Sequence, residues 1–280
     1  MPFPPAIPIG GLSGFKFLER TMDRQLELFN KSPDVQREID YFLETAGSIT
    51  SVDQLMSDRR VLAVVLGAFG LDEDLNKGAF VRKVIEEGTF DDRSFANRLV
   101  DPAYREMSEF LGFGDVGGLL VFEDTRLNLV EQYRERQFEL SVGEVDLDMR
   151  LALNFKREAP ELASSGSTDR TVWLRLLGSP PLRDVLETAL NLPEQFGLIE
   201  LDQQVDEVIS RARRIFDISS PSELADPARL AEVVDRFLLN RQVQSGAVSS
   251  SVRGSAALTL LQTSGLGGGA QANLFASGFV

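Results

Sequence analysis

Residues 56–71 read MSDRRVLAVVLGAFGL, and residues 177–192 read LGSPPLRDVLETALNL. The two stretches align without a gap, and apolar residues recur at equivalent positions, such as Val61 and Leu182. Their spacing of three and four residues is typical of one face of an α-helix. Each stretch therefore predicts a helix, and their likeness predicts an internal duplication.

Further matches follow in the same order along the two halves of the chain. Residues 24–28 resemble 136–140, residues 10–12 resemble 117–119, Val81, Val84 and Ile85 resemble Val205, Val208 and Ile209, and residues 101–103 recur at 226–228. The ordered set predicts a multi-helix bundle built from two tandem related helical units, 10–113 and 117–240. The alternative is that unrelated amphipathic helices share similar patterns.

The two aligned helices differ in how much of their circumference is apolar. At three equivalent positions, the first has apolar residues and the second charged ones: Leu62, Ala63 and Leu66 against Arg183, Asp184 and Glu187. A helix that is apolar all round is normally buried. Helix 58–70 is therefore predicted to be central and helix 180–191 to lie at the surface. The competing interpretation is that Leu62 and Leu66 form an exposed patch for a partner.

Helix starts are marked repeatedly along the chain by a proline after serine or aspartate. The pairs are Ser32-Pro33, Asp101-Pro102, Ser179-Pro180, Ser220-Pro221 and Asp226-Pro227. A serine or aspartate side chain can accept a hydrogen bond from the first helical turn, and proline fits the first helical position. Because alternating strand patterns are scarce, we predict an all-α protein with about ten to twelve helices.

The composition excludes several classes of function. Among 280 residues there are 43 acidic and 29 basic side chains, a net charge of −14, and no cysteine or histidine. The usual ligands of zinc, haem and iron–sulfur clusters are therefore missing, as are Ser–His–Asp and Cys–His catalytic systems. The acidic balance argues against nucleic acid as a partner. We predict no catalytic residue, no metal site and no cofactor.

Two acidic patterns bear on that prediction. Asp72-x-Asp74-x-Asn76 resembles the start of a calcium loop, but Lys77 and Lys83 occupy the positions where an EF-hand requires glycine and glutamate. The pattern is better explained as acids at a helix start. Paired carboxylates for acid–base work could come from three groups: Glu86 and Glu87, Asp91 and Asp92, and Glu144, Asp146 and Asp148. Solvated helix faces are the favoured explanation, because adjacent acidic residues are expected in a chain with 43 of them.

The two ends of the chain differ from the middle. Residues 1–9 are proline-rich, and residues 241–280 contain seven glycines, seven serines and no acid. This tail also carries two apolar clusters: Leu258, Leu260 and Leu261, then Leu274, Phe275 and Phe279. The clusters are predicted either to bind a partner protein or to dock on the helical body.

No targeting or membrane segment is apparent. The longest apolar run, residues 61–71, is about half of a bilayer span, and no basic residue precedes Lys16. We expect synthesis in the cytoplasm without a cleaved signal, no integral membrane segment, and export with a larger assembly as the open alternative.

Several short motifs together resemble a known family. They are Asp23-Arg24-Gln25, Tyr41-Phe42, Arg59-Arg60-Val61-Leu62, Ala68-Phe69-Gly70-Leu71, Phe80-Val81-Arg82-Lys83-Val84, Ala96-Asn97-Arg98-Leu99 and Phe110-Leu111-Gly112-Phe113-Gly114. The set is similar to an alphaproteobacterial helical family of unknown function whose genes tend to lie in flagellar gene clusters. The likeness is clear over residues 10–114, extends to the tail near 256–269, and is less evident over 120–240. It implies an association with the flagellum and supplies no site residues.

Three functions from different classes follow. The first is a non-enzymatic flagellum-associated structural or assembly protein that acts through protein–protein contacts, with flagellar components as partners. The second is a cytoplasmic helical adaptor or chaperone for a flagellar component, with an apolar groove for a partner helix. The third is an enzyme that uses carboxylates alone, which requires two acids converging in a pocket.

Overall fold

The protein folds as a set of α-helices joined by short turns. The computed structural model describes residues 4–263, with side chains described as far as residue 246. The helices are α1 (Gly11–Asn30), α2 (Pro33–Ala46), α3 (Val52–Ser57), α4 (Arg59–Ala68), α5 (Gly78–Glu87), α6 (Pro102–Leu111), α7 (Glu123–Val145), α8 (Leu147–Ala163), α9 (Asp169–Gly178), α10 (Pro180–Ala189), α11 (Leu201–Phe216) and α12 (Pro227–Thr263). No strand occurs between residues 4 and 263, so the all-α prediction is confirmed.

All five proline pairs begin a helical segment, as predicted. Four of the prolines open α2, α6, α10 and α12, and Pro221 opens a 3₁₀ turn, Pro221–Ala225. Asp101 accepts a hydrogen bond from the Ala103 N–H at 2.9 Å, and Asp226 accepts one from Ala228 at 3.0 Å. These bonds satisfy amides that the first helical turn leaves without a partner.

The long helices α7 and α8 form the centre of the fold. Only Asp146 separates them, and it ends one helix and caps the next through the Met149 N–H. The two helices run antiparallel, since Glu139 pairs with Arg157 and Arg136 pairs with Glu158 further from the turn. Helix α4 packs on α7, while α10 and α12 pack on α8.

The burial of the two aligned helices agrees only in part with the sequence prediction. Leu62 is 4% exposed and Leu66 is fully buried, so α4 is central and the exposed-patch interpretation is wrong. Helix α10 is more buried than predicted. Its charged face is half-buried rather than exposed, because Asp184 binds Arg241 of α12 and Arg183 binds Gln204 of α11.

One core runs through both proposed units. Buried apolar side chains from Phe15 of α1 to Phe237 of α12 belong to one cluster. Helix α1 packs against α12, and Lys16 Nζ lies 2.7 Å from Asp235 Oδ1 across that contact. The proline-rich segment is fixed to α1, where Gln25 exchanges two hydrogen bonds with the backbone of Ala6.

The order of elements recurs along the chain. Helices α1 to α6 and α7 to α12 each show four helices, a 3₁₀ turn, a helix, a second 3₁₀ turn and a final helix. Gly70 and Asn191, which are equivalent in the sequence alignment, both have positive φ angles, 72° and 51°. The next residue in each case bonds back to the helix, with Leu71 N–H donating to Leu66 and Leu192 N–H to Glu187. These features agree with a duplication, whose common origin and boundaries stay a prediction.

Across the part of the chain described here, none of the helices combines the length and the apolar character that crossing a lipid bilayer requires.

Candidate functional site

A cleft of about 710 Å³ opens between the α7–α8 pair and the first turns of α6 and α10. Helix α7 contributes Arg136, Glu139 and Leu140 to its wall, and the polypeptide after α4 contributes Phe69 and Gly70. The remaining wall residues come from the 3₁₀ turn Asp72–Asn76, from α6, α8, α9 and α10, and from turns adjoining those helices: Glu73, Asp101, Pro102, Ala103, Glu106, Leu147, Arg150, Leu151, Asn154, Glu158, Glu161, Leu162, Ser165, Arg175, Ser179, Pro180, Pro181 and Asp184. The wall therefore combines apolar side chains with charges of both signs.

A network of paired charges forms one wall of the cleft. Arg157, directly behind the wall, donates to Glu139 through two parallel hydrogen bonds of 2.8 and 2.9 Å. Its Nη1 donates at 3.2 Å to Glu158 Oε1, which also accepts from Arg136 Nη1 at 3.0 Å. Burial alone would lower the pKa of Arg157, but the hydrogen bonds and charge of Glu139 outweigh burial and raise it. These carboxylates are therefore engaged structurally by fixed arginines.

Asn154 of α8 lies in the same wall with one polar atom left over. Its Nδ2 donates to Glu158 Oε1 at 3.0 Å, which fixes the orientation of the amide because the carboxylate can only accept. The side-chain Oδ1 has no hydrogen-bond partner among the described residues, although Asn154 is only 9% exposed. A buried acceptor without a donor from the protein is uncommon.

Gly70 is required where the chain passes Arg136. A Cβ at this position would lie 2.8 Å from Arg136 Nη1, and the φ angle of 72° is one that residues with a side chain rarely adopt. The glycine thus provides the space in which the Arg136 guanidinium reaches Glu158.

Glu106 of α6 stands at the mouth of the cleft without a cationic partner in the described part of the chain. The Glu106 side chain is solvent-exposed, yet desolvation by the neighbouring cleft walls, followed by repulsion from Glu158, raises the pKa of Glu106 above its ordinary value. Glu161 adds to this repulsion, while Arg136 opposes it. Glu106 is therefore a carboxylate whose charge is incompletely neutralised by its surroundings.

Two arginines of the cleft have no ion-pair partner among the residues described. Arg150 packs its stem on Gly143 of α7, and Arg175 lies in the last turn of α9. Both line the cleft that contains Glu106. The cleft thus presents unpaired groups of both charges.

The calcium-like pattern does not form a cation site. Asp74 bonds to the Tyr104 hydroxyl and pairs with Lys77 at 2.6 Å, while Asp72 accepts from Gln137 at 2.8 Å. The two carboxylate oxygens of Asp74 and one of Asp72 thus bind three different donors. No cluster of three or more histidine, cysteine or acidic side chains suited to a metal occurs in the described part of the chain.

The acidic groups singled out in the sequence have separate local roles. Glu86 pairs with Arg82 at 2.9 Å, and Asp146 caps α8. Asp91 accepts from the Arg93 N–H at 2.8 Å, and Asp148 lies 3.2 Å from Arg241. None of these residues lines the cleft.

The converging acids are instead Glu106, Glu139 and Glu158, which sequence reasoning did not single out. They come from α6, α7 and α8, so no short spacing relates them. The only sequence signal was indirect, because Arg136 and Glu139 fall in one of the repeated stretches.

The predicted partner-binding residues cannot be placed. Leu258, Leu260 and Leu261 lie where only the backbone of α12 is described, and Leu274, Phe275 and Phe279 lie outside the described residues.

The comparisons with known proteins identify a family and one similar structure. The family described as Protein of unknown function (DUF1217) matches residues 68–228, a span that contains all the cleft residues named above. The fold is similar to the X-ray crystal structure of a protein from Agrobacterium tumefaciens, with a TM-score of 0.71 and 28% sequence identity. The match covers 86% of this chain and 99% of that one. No curated protein matches the chain.

Proposed function

The chain belongs to DUF1217, a family of proteins of unknown function, and we propose that it is a non-enzymatic flagellum-associated structural or assembly protein. It acts through protein–protein contacts, and its partners are flagellar components. It is made in the cytoplasm and is exported with the flagellum. The flagellar part of this proposal rests on the resemblance noted in the sequence.

The single observation that supports a contact function is the cleft. Its volume is large enough for several side chains, and its wall combines leucines with unpaired charges. Leu147 at its edge is 60% exposed, and Val145 in the adjoining α7–α8 turn is 51% exposed. Mixed apolar and charged concave surfaces of this kind suit an extended partner segment.

A cytoplasmic adaptor or chaperone for a flagellar component is the second candidate. The same cleft supports it, since an acidic protein with a partly apolar groove is suited to binding a helix of a flagellar component before that component assembles. The two candidates differ in where the protein acts, so location separates them.

The carboxylate-only enzyme has one observation in its favour, the raised pKa of Glu106 beside Glu158. Against it, Glu158 Oε1 accepts hydrogen bonds from two arginines and Asn154. All three of these donors hold this carboxylate in structural contacts, so we rank the enzyme third.

Fractionation of the native bacterium tests the proposal. Immunoblots would compare cytosol, purified basal bodies with hooks, and culture medium, in wild type and in a strain without flagellar export. Export-dependent protein in the flagellar fraction or medium is the expected result. Retention in the cytosol of both strains would contradict it and favour the adaptor.

A further inference from the structure

We propose that a surface outside the cleft binds a basic amphipathic segment of a partner protein. This surface, the Phe90 patch, consists of Phe90, Val116, Val121 and Phe122, and none of these residues lines the cleft. Such binding rests on the proposed contact function and adds the chemistry of the partner. It concerns one surface of the molecule, so it can fail while the broader function stands.

Hydrogen bonds to one carboxylate hold Phe90 at the surface. Asp115, in the loop between α6 and α7, accepts the backbone N–H of Thr89 at 2.8 Å and that of Phe90 at 3.0 Å. The two loops are in direct contact, because a Cβ on Gly114 would lie 2.4 Å from the backbone nitrogen of Gly88. The backbone of Phe90 is therefore fixed, and yet the residue is 77% exposed.

The loop between α6 and α7 presents three further apolar side chains. Val116 Cγ2 and Leu119 Cγ both lie against Gly112, and the Phe122 N–H donates to the carbonyl of Leu119 at 3.1 Å. The loop thus folds back on itself. Val116 is 58% exposed, Val121 40% and Phe122 59%. The two loops together therefore present an exposed apolar surface, which in a folded protein commonly marks an interaction site.

The loop that carries Phe90 is also held from within. The amide nitrogen of Asn97 donates to the carbonyl oxygen of Thr89 at 2.8 Å and to that of Asp91 at 2.9 Å. An aromatic side chain on a backbone fixed in this way loses little conformational freedom when a partner covers it. Such aromatic residues are common among those that contribute most to binding.

The surroundings of the patch carry a surplus of negative charge. Exposed acids directly follow each of its aromatic residues: Asp91 and Asp92 after Phe90, and Glu123 and Asp124 after Phe122. None of the four forms an ion pair with another described residue. The cations next to them in sequence are Arg93 and Arg126, and Arg126 donates to the carbonyl oxygens of Leu120 and Val121. Four carboxylates thus face two guanidinium groups.

This charge selects the partner. A two-fold contact with a second copy would place the same patch on both sides of the interface, so carboxylates would face carboxylates. Like charges across an interface oppose binding, and the whole chain carries a net charge of −14. A segment that combines apolar side chains with lysine or arginine would cover the apolar surface and neutralise its acidic rim.

Three short peptides test the proposal on the full chain. The first is an amphipathic peptide of leucine and lysine, the second replaces leucine with serine, and the third replaces lysine with glutamate. We expect the leucine–lysine peptide to bind at least about tenfold more tightly than either of the others, because the patch is both apolar and acidic. Equal binding of the serine–lysine peptide would show that charge alone drives the contact and would overturn the proposal.

Variants of the apolar residues locate the binding. Phe90→Ser and Phe122→Ser should each weaken binding of the leucine–lysine peptide by about tenfold. Leu198→Ser is the matched control, because Leu198 is 85% exposed and lies in the 3₁₀ turn Glu194–Leu198, outside the patch. Thermal unfolding would verify that each variant is folded. Unchanged binding by both folded patch variants, or an equal loss in the control, would refute the site.

Variants of the acids test the charge. Glu123→Gln combined with Asp124→Asn should weaken binding of the same peptide by about fivefold, since both charges lie beside the patch. Glu194→Gln combined with Glu200→Gln removes two exposed acids elsewhere and is the matched control. Equal effects of the two double variants would mean that the peptide responds to net charge only, which would overturn the proposed partner chemistry.

Two further outcomes separate this inference from its alternatives. Sedimentation of the full chain should show no dimer that depends on the patch, whereas a dimer lost in Phe90→Ser would assign the patch to a second copy and overturn the proposal. Export-dependent flagellar localisation without binding of the leucine–lysine peptide would refute this inference and leave the proposed function intact. Patch-dependent binding by a protein that stays cytosolic would support this inference and contradict the proposed export.

Discussion

Replacing Arg157 with methionine should strongly destabilise the fold. The substitution keeps an unbranched apolar stem but removes the guanidinium that binds Glu139 and Glu158. The Arg157 side chain is 17% exposed and that of Glu139 is 13% exposed, so the remaining carboxylate would lie largely out of water. Removing one partner of a buried ion pair typically costs about 3–5 kcal/mol.

The magnitude expected here is at the lower end of that range. Glu158 still binds Arg136 at 3.0 Å in the variant, so only Glu139 loses its cation completely. We therefore expect a loss of about 3 kcal/mol in the free energy of unfolding. For a urea slope of about 3 kcal/mol per M, the unfolding midpoint should fall by about 1 M.

Urea unfolding followed by tryptophan fluorescence provides the assay. Trp173 is the single tryptophan and is 1% exposed, so its emission reports loss of the core. Arg170→Met is the matched control, because the Arg170 side chain is 46% exposed and pairs with Asp202 on the surface. A surface pair of that kind contributes less than about 1 kcal/mol.

Two results would refute the reasoning about this ion pair. One is an Arg157→Met variant that loses no more stability than Arg170→Met. The other concerns the double variant Arg157→Met with Glu139→Gln, which should recover at least about 1 kcal/mol because it removes the stranded charge. Absence of recovery would mean that packing of the arginine stem, not its charge, is what stabilises this wall.

Three further predictions concern the cleft and the core. Gly70→Ala should cost more stability than Gly166→Ala, by about 1 kcal/mol or more, since both residues have positive φ but only the first meets Arg136; urea unfolding of the pair measures the difference. Leu66→Ala should cost about 2–5 kcal/mol, because Leu66 is fully buried in the central helix; a loss below about 1 kcal/mol would show that α4 is less tightly packed. Glu106→Gln should raise the melting temperature at pH 7. The pKa of Glu106 is higher in the folded state than in the unfolded state, so ionisation of Glu106 opposes folding at pH 7. The gain in melting temperature should therefore vanish by about pH 4, where the carboxyl is largely protonated in both states. An equal gain at pH 7 and at pH 4 would contradict this linkage.

The helices were largely predictable because their signals are local. Proline after serine or aspartate marks where a helical segment begins, and the periodicity of residues 56–71 places α4 in the core. Both signals depend on backbone geometry and on burial of one face, which a few neighbouring residues determine. The surface position predicted for α10 was less successful, because its charged face is covered by partners on α11 and α12.

The cleft was not predictable because it depends on distant residues meeting. Asp72, Asp74 and Asn76 are adjacent in sequence and yet bind separate partners. Glu106 and Glu158 are far apart in sequence and interact electrostatically across the cleft. Nearness along the chain was therefore a poor guide to shared chemistry.

The sequence alone determined the helical class, the starts of α2, α6, α10 and α12, the central position of α4 and the absence of cysteine and histidine chemistry. Tertiary structure alone decided which charges are paired, that Asn154 keeps a free acceptor, and that Glu106 faces Glu158. The physical reason is the range of the forces involved. Capping and helical periodicity act within a few residues, whereas a cleft requires three helices to approach at fixed angles, and that approach is set by packing of the whole core.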